Sequence, residues 1–329
     1  MPTYSQRDQQ GRFINPWPGA EAHGLRDALK WQRERSAVPE PELPPGTLPF
    51  PLAMPSFDAP RAAIDALSVT WVGHSTFLIQ AGGINILTDP MWSERASPVQ
   101  FTGPKRFMPP GIALDALPPI DLVLLSHNHY DHLDDATVRS IARGHAGARW
   151  VTPLGLAAWV RARGARDVTE LDWWQETLAG DATVTGVPAQ HFSARTPWDR
   201  GKTLWCGYAV RVGERRLYVA GDTAFFPEFR AIGERYGPFD IACIPIGAYD
   251  PRWFMRSVHM DAEEAVRAYI ELCAPHSGAR TAMVPMHWGT FKLTDEPLAE
   301  PPQRAVAAWR AAGLREELFW RLDHGGTAR

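Results

Sequence analysis

From Val69 onward the chain is organised as short apolar and β-branched runs separated by glycine-containing turns. Val69 to Gln80 and Ile84 to Thr88 are β-rich runs joined through Gly82-Gly83, a hairpin signal, and the second ends at Asp89. Thr203 to Val212 and Arg215 to Ala220 repeat the arrangement around Gly213-Glu214 and lead to Asp222. This echo of strand, tight turn, strand and aspartate predicts two related halves that face each other. Asp121 to Leu125, Thr183 to Pro188 and Thr281 to Pro285 add short runs that read as buried strands or strand ends. Helical segments are predicted between them over 135–143, 155–163, 225–235 and 261–273. In the last, Asp261 can cap the first turn while Glu264 reaches back, as in a capping box. Ahead of this body, residues 20–36 read as a short helix. Eight prolines from Pro39 to Pro60 then rule out regular structure and predict an extended arm laid over the body. Residues 1–66 are therefore expected to be an N-terminal extension and 67–329 a single domain. Mixed strands with helices outside make an α/β sandwich.

Composition narrows the function by exclusion. At 45% hydrophobic, a chain of 329 residues can bury a large core, and its net charge of −3 gives no footprint for nucleic acid and no polybasic anchor. Met1 to Gln10 is polar, without the apolar stretch of a secretory signal, and no run reaches the roughly 18–20 apolar residues that span a bilayer. The expectation is a cytoplasmic protein, with contact at the inner membrane face as the peripheral variant. The three cysteines, Cys206, Cys243 and Cys273, lack metal-type spacing and read as reduced. Fourteen tryptophans are many, and Trp17, Trp92, Trp198, Trp253 and Trp288 fall in predicted loops. Such residues are more often core or pocket wall; the alternative is an apolar substrate surface.

The chemistry concentrates in Ser126-His127-Asn128-His129-Tyr130-Asp131-His132, which follows an apolar strand and holds four potential metal ligands in six residues. Imidazole and carboxylate suit Zn²⁺ and similar first-row ions. Three more ligand-type residues, His191, Asp222 and His287, each stand just beyond a predicted strand. Any one of them alone would more often be structural. Asp89, in Thr88-Asp89-Pro90, ends a strand as Asp222 does, so its carboxylate can accept the free N–H of a ligand histidine; the plainer reading is a turn aspartate before proline. His74 reads equally as a residue lining the site or a core histidine. His23, His145, His276 and His324 read as surface or tail residues. Lys105, Arg106, Arg195, Arg252 and Arg256 are loop cations, and Trp253-Phe254-Met255 with Trp288 are loop apolar residues.

The H-x-H-x-D-H pattern resembles the metallo-β-lactamase superfamily of metal-dependent hydrolases. Further segments carry the likeness: Thr70-Trp71-Val72-Gly73-His74-Ser75-Thr76-Phe77, Leu87-Thr88-Asp89-Pro90, Phe101 to Phe107, Gln190 to Thr196, Ala220-Gly221-Asp222-Thr223, Ile244 to Tyr249 and Met286-His287-Trp288-Gly289-Thr290. In that order they look like the branch that hydrolyses N-acyl-phosphatidylethanolamine as a phospholipase D, over roughly residues 67–300. The resemblance implies an αββα sandwich with two divalent ions, Zn²⁺ by default, at one edge between the sheets. One ion would take His127, His129 and His191, the other Asp131, His132 and His287, with Asp222 bridging both. The implied nucleophile is a hydroxide between the ions. His259 matches a family histidine near the site, placed to protonate the leaving group or contact substrate, and Asp131 is expected at the reaction centre as well as on the metal. A homodimer is also implied. The resemblance would put the loop cations to use for a phosphate, and the loop apolar residues for an acyl groove. Against the lipid phosphodiester stand a soluble substrate such as a sugar-phosphate lactone, a metal-stabilised binding protein that has lost turnover, and a di-iron redox protein. A β-lactamase role is disfavoured, because an aspartate stands where the best-known lactamases have cysteine.

Overall fold

A computed structural model describes residues 4–34, 44, 46–276 and 278–329. The body is two facing sheets. The first contains β1 (Leu67–Gly73), β2 (Thr76–Ala81), β3 (Ile84–Thr88), β4 (Leu122–Leu124), β5 (Arg149–Pro153) and β6 (Asp167–Leu171). The second contains β7 (Glu176–Ala179), β8 (Ala182–Val187), β9 (Gly207–Val212), β10 (Arg215–Val219), β11 (Ile241–Pro245) and β12 (Ala282–Met286). A short β13 (Thr327–Ala328) from the C-terminus joins the first sheet beside β1.

Each sheet begins with antiparallel hairpins and continues with parallel strands, in the orders β13-β1-β2-β3-β4-β5-β6 and β12-β11-β10-β9-β8-β7. β1-β2-β3 is antiparallel and β3 runs parallel to β4; β8-β9-β10 is antiparallel and β10 runs parallel to β11. The repeated pattern accounts for the echo in sequence. It also fixes the site, because alternate strands of an antiparallel set end at the same edge. The C-terminal ends of β1, β3 and β4 therefore share one edge, as do those of β8, β10 and β12.

Side-chain alternation on β2 divides the layers. Phe77 and Ile79 enter the sandwich against residues such as Val184, Tyr208 and Val210, whereas Leu78 packs outward with Val138, Ile141 and Val160. Those outer residues belong to α2 (Asp135–Gly144) and α3 (Ala157–Arg161). The far side of the second sheet carries α4 (Phe229–Tyr236), α6 (Ala262–Cys273) and α7 (Glu300–Ala311), with α5 (Arg252–Met255) ahead of α6. The layer order is αββα, as expected. Asp261 accepts from the Glu264 N–H and Glu264 reaches back to the Asp261 N–H, so the capping box is formed.

Several boundaries differ from the sequence reading, each for a local reason. α4 starts at Phe229 rather than 225 because Pro227 disfavours helical backbone in the residue before it. The expected helix over 20–36 is α1 (Leu25–Glu34), starting after Gly24, and residues 35–36 lie outside the described residues. The run expected as one strand from Val69 to Gln80 folds back on itself: β1 and β2 pair across Gly73-His74-Ser75, with a register shift between Trp71 and Gly73. The strand expected from Thr203 begins only at Gly207.

Part of the proline-rich arm, including Pro39 and Pro41, lies outside the described residues. Its later portion lies on the body, where Leu52 bridges His324 and Asp58 exchanges hydrogen bonds with the Gln80 side chain. Among the described residues no helix is long and apolar enough to cross a membrane.

Candidate metal centre

At the shared edge, loops leaving six strands bring their polar residues to one point. β4 releases the 126–132 loop, whose reversal is closed by the His132 and Leu133 N–H groups donating to the His129 carbonyl. β8 delivers His191, β10 delivers Asp222 and β12 delivers His287. β3 ends at Asp89, and the β1–β2 turn supplies His74. Gly221 makes the approach of Asp222 possible: its φ is +62°, and a Cβ there would lie 2.8 Å from Cβ of Ser126. His74, Asp89 and His287 themselves have φ of 54°, 33° and 62°. Such backbone persists in non-glycine residues only where the surroundings hold it, and it gathers at functional sites.

The geometry separates into two groups joined by one carboxylate. His127 Nε2 lies 2.8 Å and His191 Nε2 3.2 Å from His129 Nδ1, so three imidazoles aim nitrogens at one point. On the other side Asp131 Oδ2 lies 3.3 Å from both His132 Nε2 and His287 Nε2, and 2.7 Å from His74 Nε2. Asp222 Oδ2 stands between the groups, 3.8 Å from His127 Nε2 and His191 Nε2, 3.1 Å from His132 Nε2 and 3.0 Å from His287 Nε2. Every residue expected as a ligand from sequence is thus in one of two adjoining clusters, and His74 is in the second. His259 forms a third grouping with Asp222 and His287.

The outward nitrogens of the histidines are held. His191 Nδ1–H donates to the Val258 carbonyl at 2.8 Å, which leaves Nε2 with its lone pair toward the cluster. Asp89 does this twice. Its Oδ2 lies 2.9 Å from His132 Nδ1 and accepts from the Ser126 hydroxyl, which stands 2.9 Å from His127 Nδ1. Its Oδ1 accepts the Ser126 N–H. One buried carboxylate therefore orients a histidine in each cluster. Sequence pointed to Asp89 but not to Ser126, whose only signal is its place directly before the first histidine. Asp89→Asn is expected to leave the fold intact and to weaken metal affinity or turnover by about 10–100-fold. Wild-type kinetics and metal content in that variant would reduce Asp89 to a turn residue.

The donor set fits a cation. Burial pushes His129 down to about 3 and His191 to about 4, and holds His127 well below its usual value, so these imidazoles are neutral at pH 7 with lone pairs converging. In the other cluster burial opposes charge, yet the Asp222 carboxylate raises His287 to about 9 and, with Asp131 and Asp89, raises His132 well above its usual value. Asp131 and Asp222 stay well below the carboxylate range although burial opposes that, because positive charge on His132 faces both. Burying each ionised group costs several kcal/mol unless it is compensated. Asp222 Oδ1 is buried without a hydrogen-bond partner. Converging lone pairs in the three-histidine group, and buried carboxylates with an orphaned oxygen in the other, form a site that positive charge completes; a metal ion there would displace the protons that His132 and His287 otherwise hold. Zn²⁺ is compatible with this nitrogen and oxygen set, which contains no thiolate.

A model of the "Beta-lactamase superfamily domain" matches residues 84–288, more than half of the chain. The chain belongs to that superfamily. Among relatives, it is 43% identical over 271 residues to N-acyl-phosphatidylethanolamine-hydrolyzing phospholipase D 1 of Caenorhabditis elegans, covering 79% of this chain and 74% of the relative. It is 32% identical over 258 residues to the mitochondrial N-acyl-phosphatidylethanolamine-hydrolyzing phospholipase D of Saccharomyces cerevisiae, covering 76% of this chain and 53% of that one. A metallo hydrolase from Ignicoccus hospitalis superposes with a TM-score of 0.59 at 24% identity, covering 80% of this chain and 97% of its own, which supports the fold.

Around the centre of this superfamily member, several loop residues do something other than expected. Arg195 donates to the carbonyls of Asn128 and Leu133 and lies over Tyr130, so it braces the 126–132 loop instead of facing a phosphate. Arg106 donates to the carbonyls of Met91, Ser93 and Met108. Arg252 pairs with Glu264 and holds the His259 carbonyl, and Lys105 pairs with Glu94. Arg256 is mostly exposed, with its Nε 3.7 Å from Glu264 Oε1. Trp288 is core, stacked on Trp71 at 5.0 Å, rather than groove. Trp17, Phe225 and Trp253, with Gln190 and Arg256, do line a cavity of about 410 Å³ that reaches Ser257, two residues before His259. His324 is fully buried instead of lying on the surface, because Trp71 and Phe50 enclose its ring.

Proposed function

We propose that the chain is a dinuclear, zinc-dependent phosphodiesterase of the N-acyl-phosphatidylethanolamine phospholipase D type. The observation that carries it is Asp222 Oδ2, set between a three-histidine group and the Asp131-His132-His287 group at 3.0–3.8 Å from four imidazole nitrogens. Divalent ions there would supply Lewis acidity and bring the pKa of a bound water toward ~7, which removes the need for a serine or cysteine nucleophile.

The chain's own groups then have distinct tasks. His127, His129 and His191 would hold one ion, Asp131, His132 and His287 the other, and Asp222 would serve both. Asp89 and Ser126 fix which ring nitrogen each of His132 and His127 presents. His259 lies beside the centre with its ring 4.9 Å from His191 and 5.3 Å from His287, and its Nδ1 has no partner. Burial holds it well below its usual pKa, so it is neutral and offers a hydrogen bond to a phosphoryl or leaving oxygen instead of carrying a full proton to it.

The cavity walled by Trp17, Phe225 and Trp253 supports a substrate with an apolar chain, and Arg256 at its wall, mostly exposed beside Glu264, offers a cation to an anionic group. Exposed Trp198 and Phe101 offer contact to a lipid surface. The test is hydrolysis of phosphodiesters graded in acyl length. Efficiency that rises with chain length supports the lipid reading, and a flat series leaves only a metal-dependent hydrolase of a soluble substrate.

A further inference from the structure

We propose that His324, in the C-terminal tail, is a positioning residue for the metal centre, acting through Thr290 and His74 on the Asp131 carboxylate. This rests on reading Asp131 as a ligand.

The tail is locked into the body by backbone contacts that leave no room for a side chain at Gly111 or Gly325. β13 pairs with Val69 and Thr70, the Trp71 N–H donates to the Gly326 carbonyl at 3.0 Å, and the Gly325 N–H donates to the Trp71 carbonyl at 2.7 Å. On its other flank the Ala53 N–H donates to the His324 carbonyl at 2.8 Å. A Cβ on Gly325 would lie 2.2 Å from the Ala53 carbonyl oxygen, and one on Gly111 would lie 2.1 Å from the Gly325 nitrogen. Glycine is required at this crossing, and the threading delivers the preceding histidine inward. Its ring lies 4.1 Å from the Trp71 ring, and its Cδ2 would be 3.2 Å from a Cβ on Gly73.

From there three short contacts lead to the proposed ligand. His324 Nε2 is 2.9 Å from Thr290 Oγ1. Thr290 Oγ1 accepts the His74 N–H at 2.7 Å. His74 Nε2 is 2.7 Å from Asp131 Oδ2. His74 sits at φ 54°, a conformation its neighbours must impose. The Thr290 hydroxyl grips its N–H, while its carbonyl accepts from Trp71 Nε1–H and from the His287 N–H. The same turn thus touches two residues of the second cluster, Asp131 by side chain and His287 by backbone. His324 fixes the Thr290 hydroxyl, which fixes the turn.

A plug that merely fills space would need the ring but not its nitrogen, and this separates the two roles. His324→Phe keeps an aromatic ring and removes the hydrogen bond. Thr290→Val keeps the shape and removes the middle link. Zn²⁺ affinity is measured by competition with a chromophoric chelator, alongside melting temperature. Each variant is expected to lose about 10–100-fold in affinity for one ion while the other stays at the wild-type value. The double variant is expected to lose no more than either single one, because both cut the same chain of contacts. Thr290→Ser, which restores the hydroxyl, is expected to recover the affinity. Wild-type affinity for both ions in Thr290→Val, or losses that add in the double variant, would overturn the inference. If His324→Phe does not fold, His324→Gln, which can keep a hydrogen bond to the Thr290 hydroxyl, is expected to hold the affinity that His324→Leu loses, and equal affinity in those two variants would overturn the inference. Wild-type protein that takes up no Zn²⁺ would instead overturn the metal-centre reading itself, so the two failures are distinguishable.

Discussion

Asp222→Ala is expected to lose both metals and to fall to background hydrolysis while keeping its circular dichroism. The reason is position. Asp222 is the carboxylate whose oxygen reaches both clusters, at 3.0 and 3.1 Å on one side and 3.8 Å on the other. Removing it leaves the three-histidine group without an anionic donor and leaves Asp131 as the remaining carboxylate among the proposed ligands. The variant should still fold, because Asp222 lies in a loop beyond β10 and the sandwich core is built elsewhere. Losing one partner from a buried charged set costs about 3–5 kcal/mol, which bounds the expected drop in stability. Full metal content and turnover in Asp222→Ala would show that the centre does not depend on a bridge.

Catalytic efficiency is expected to climb steeply with acyl length, measured below the concentration at which the lipid aggregates. Burying a methylene is worth ~0.8 kcal/mol and each 1.36 kcal/mol is tenfold in rate, so four added methylenes give roughly two orders of magnitude. The aromatic cavity beside Ser257 is the proposed origin of that slope, and the slope should level off once the cavity is full. Trp253→Ala should flatten it while leaving a short-chain substrate nearly unaffected. No dependence on length would remove the lipid from the account.

The parts legible in sequence were those written locally. A run such as Asp121 to Leu125 followed at once by four ligand-type residues has no economical reading as a solvated loop, and the seven proposed ligands do converge. The glycine turns at Gly82-Gly83 and Gly213-Glu214 mark the hairpins of both halves, and the capping box marks the start of α6. What escaped was written in long-range contact. The turn at His74 is hidden inside an apparently continuous β-run, because nothing local announces that Thr290, 216 residues away, will hold its N–H. His324 looked like a tail residue because its burial depends on Trp71, Phe50 and two glycine crossings. Arg106, Arg195 and Arg252 carry phosphate-type chemistry, but buried carbonyls claim their donors first. Residue type announces what a group can do; its partners decide whether it is free to do it.

The most direct test of the central claim is elemental analysis of the purified protein after metal-replete preparation, with hydrolysis of a chromogenic phosphodiester followed as the metal is stripped and returned. Two divalent ions per chain are expected, with loss of turnover as they are removed and recovery as Zn²⁺ is restored. A single ion, or turnover that survives complete removal, would contradict the claim.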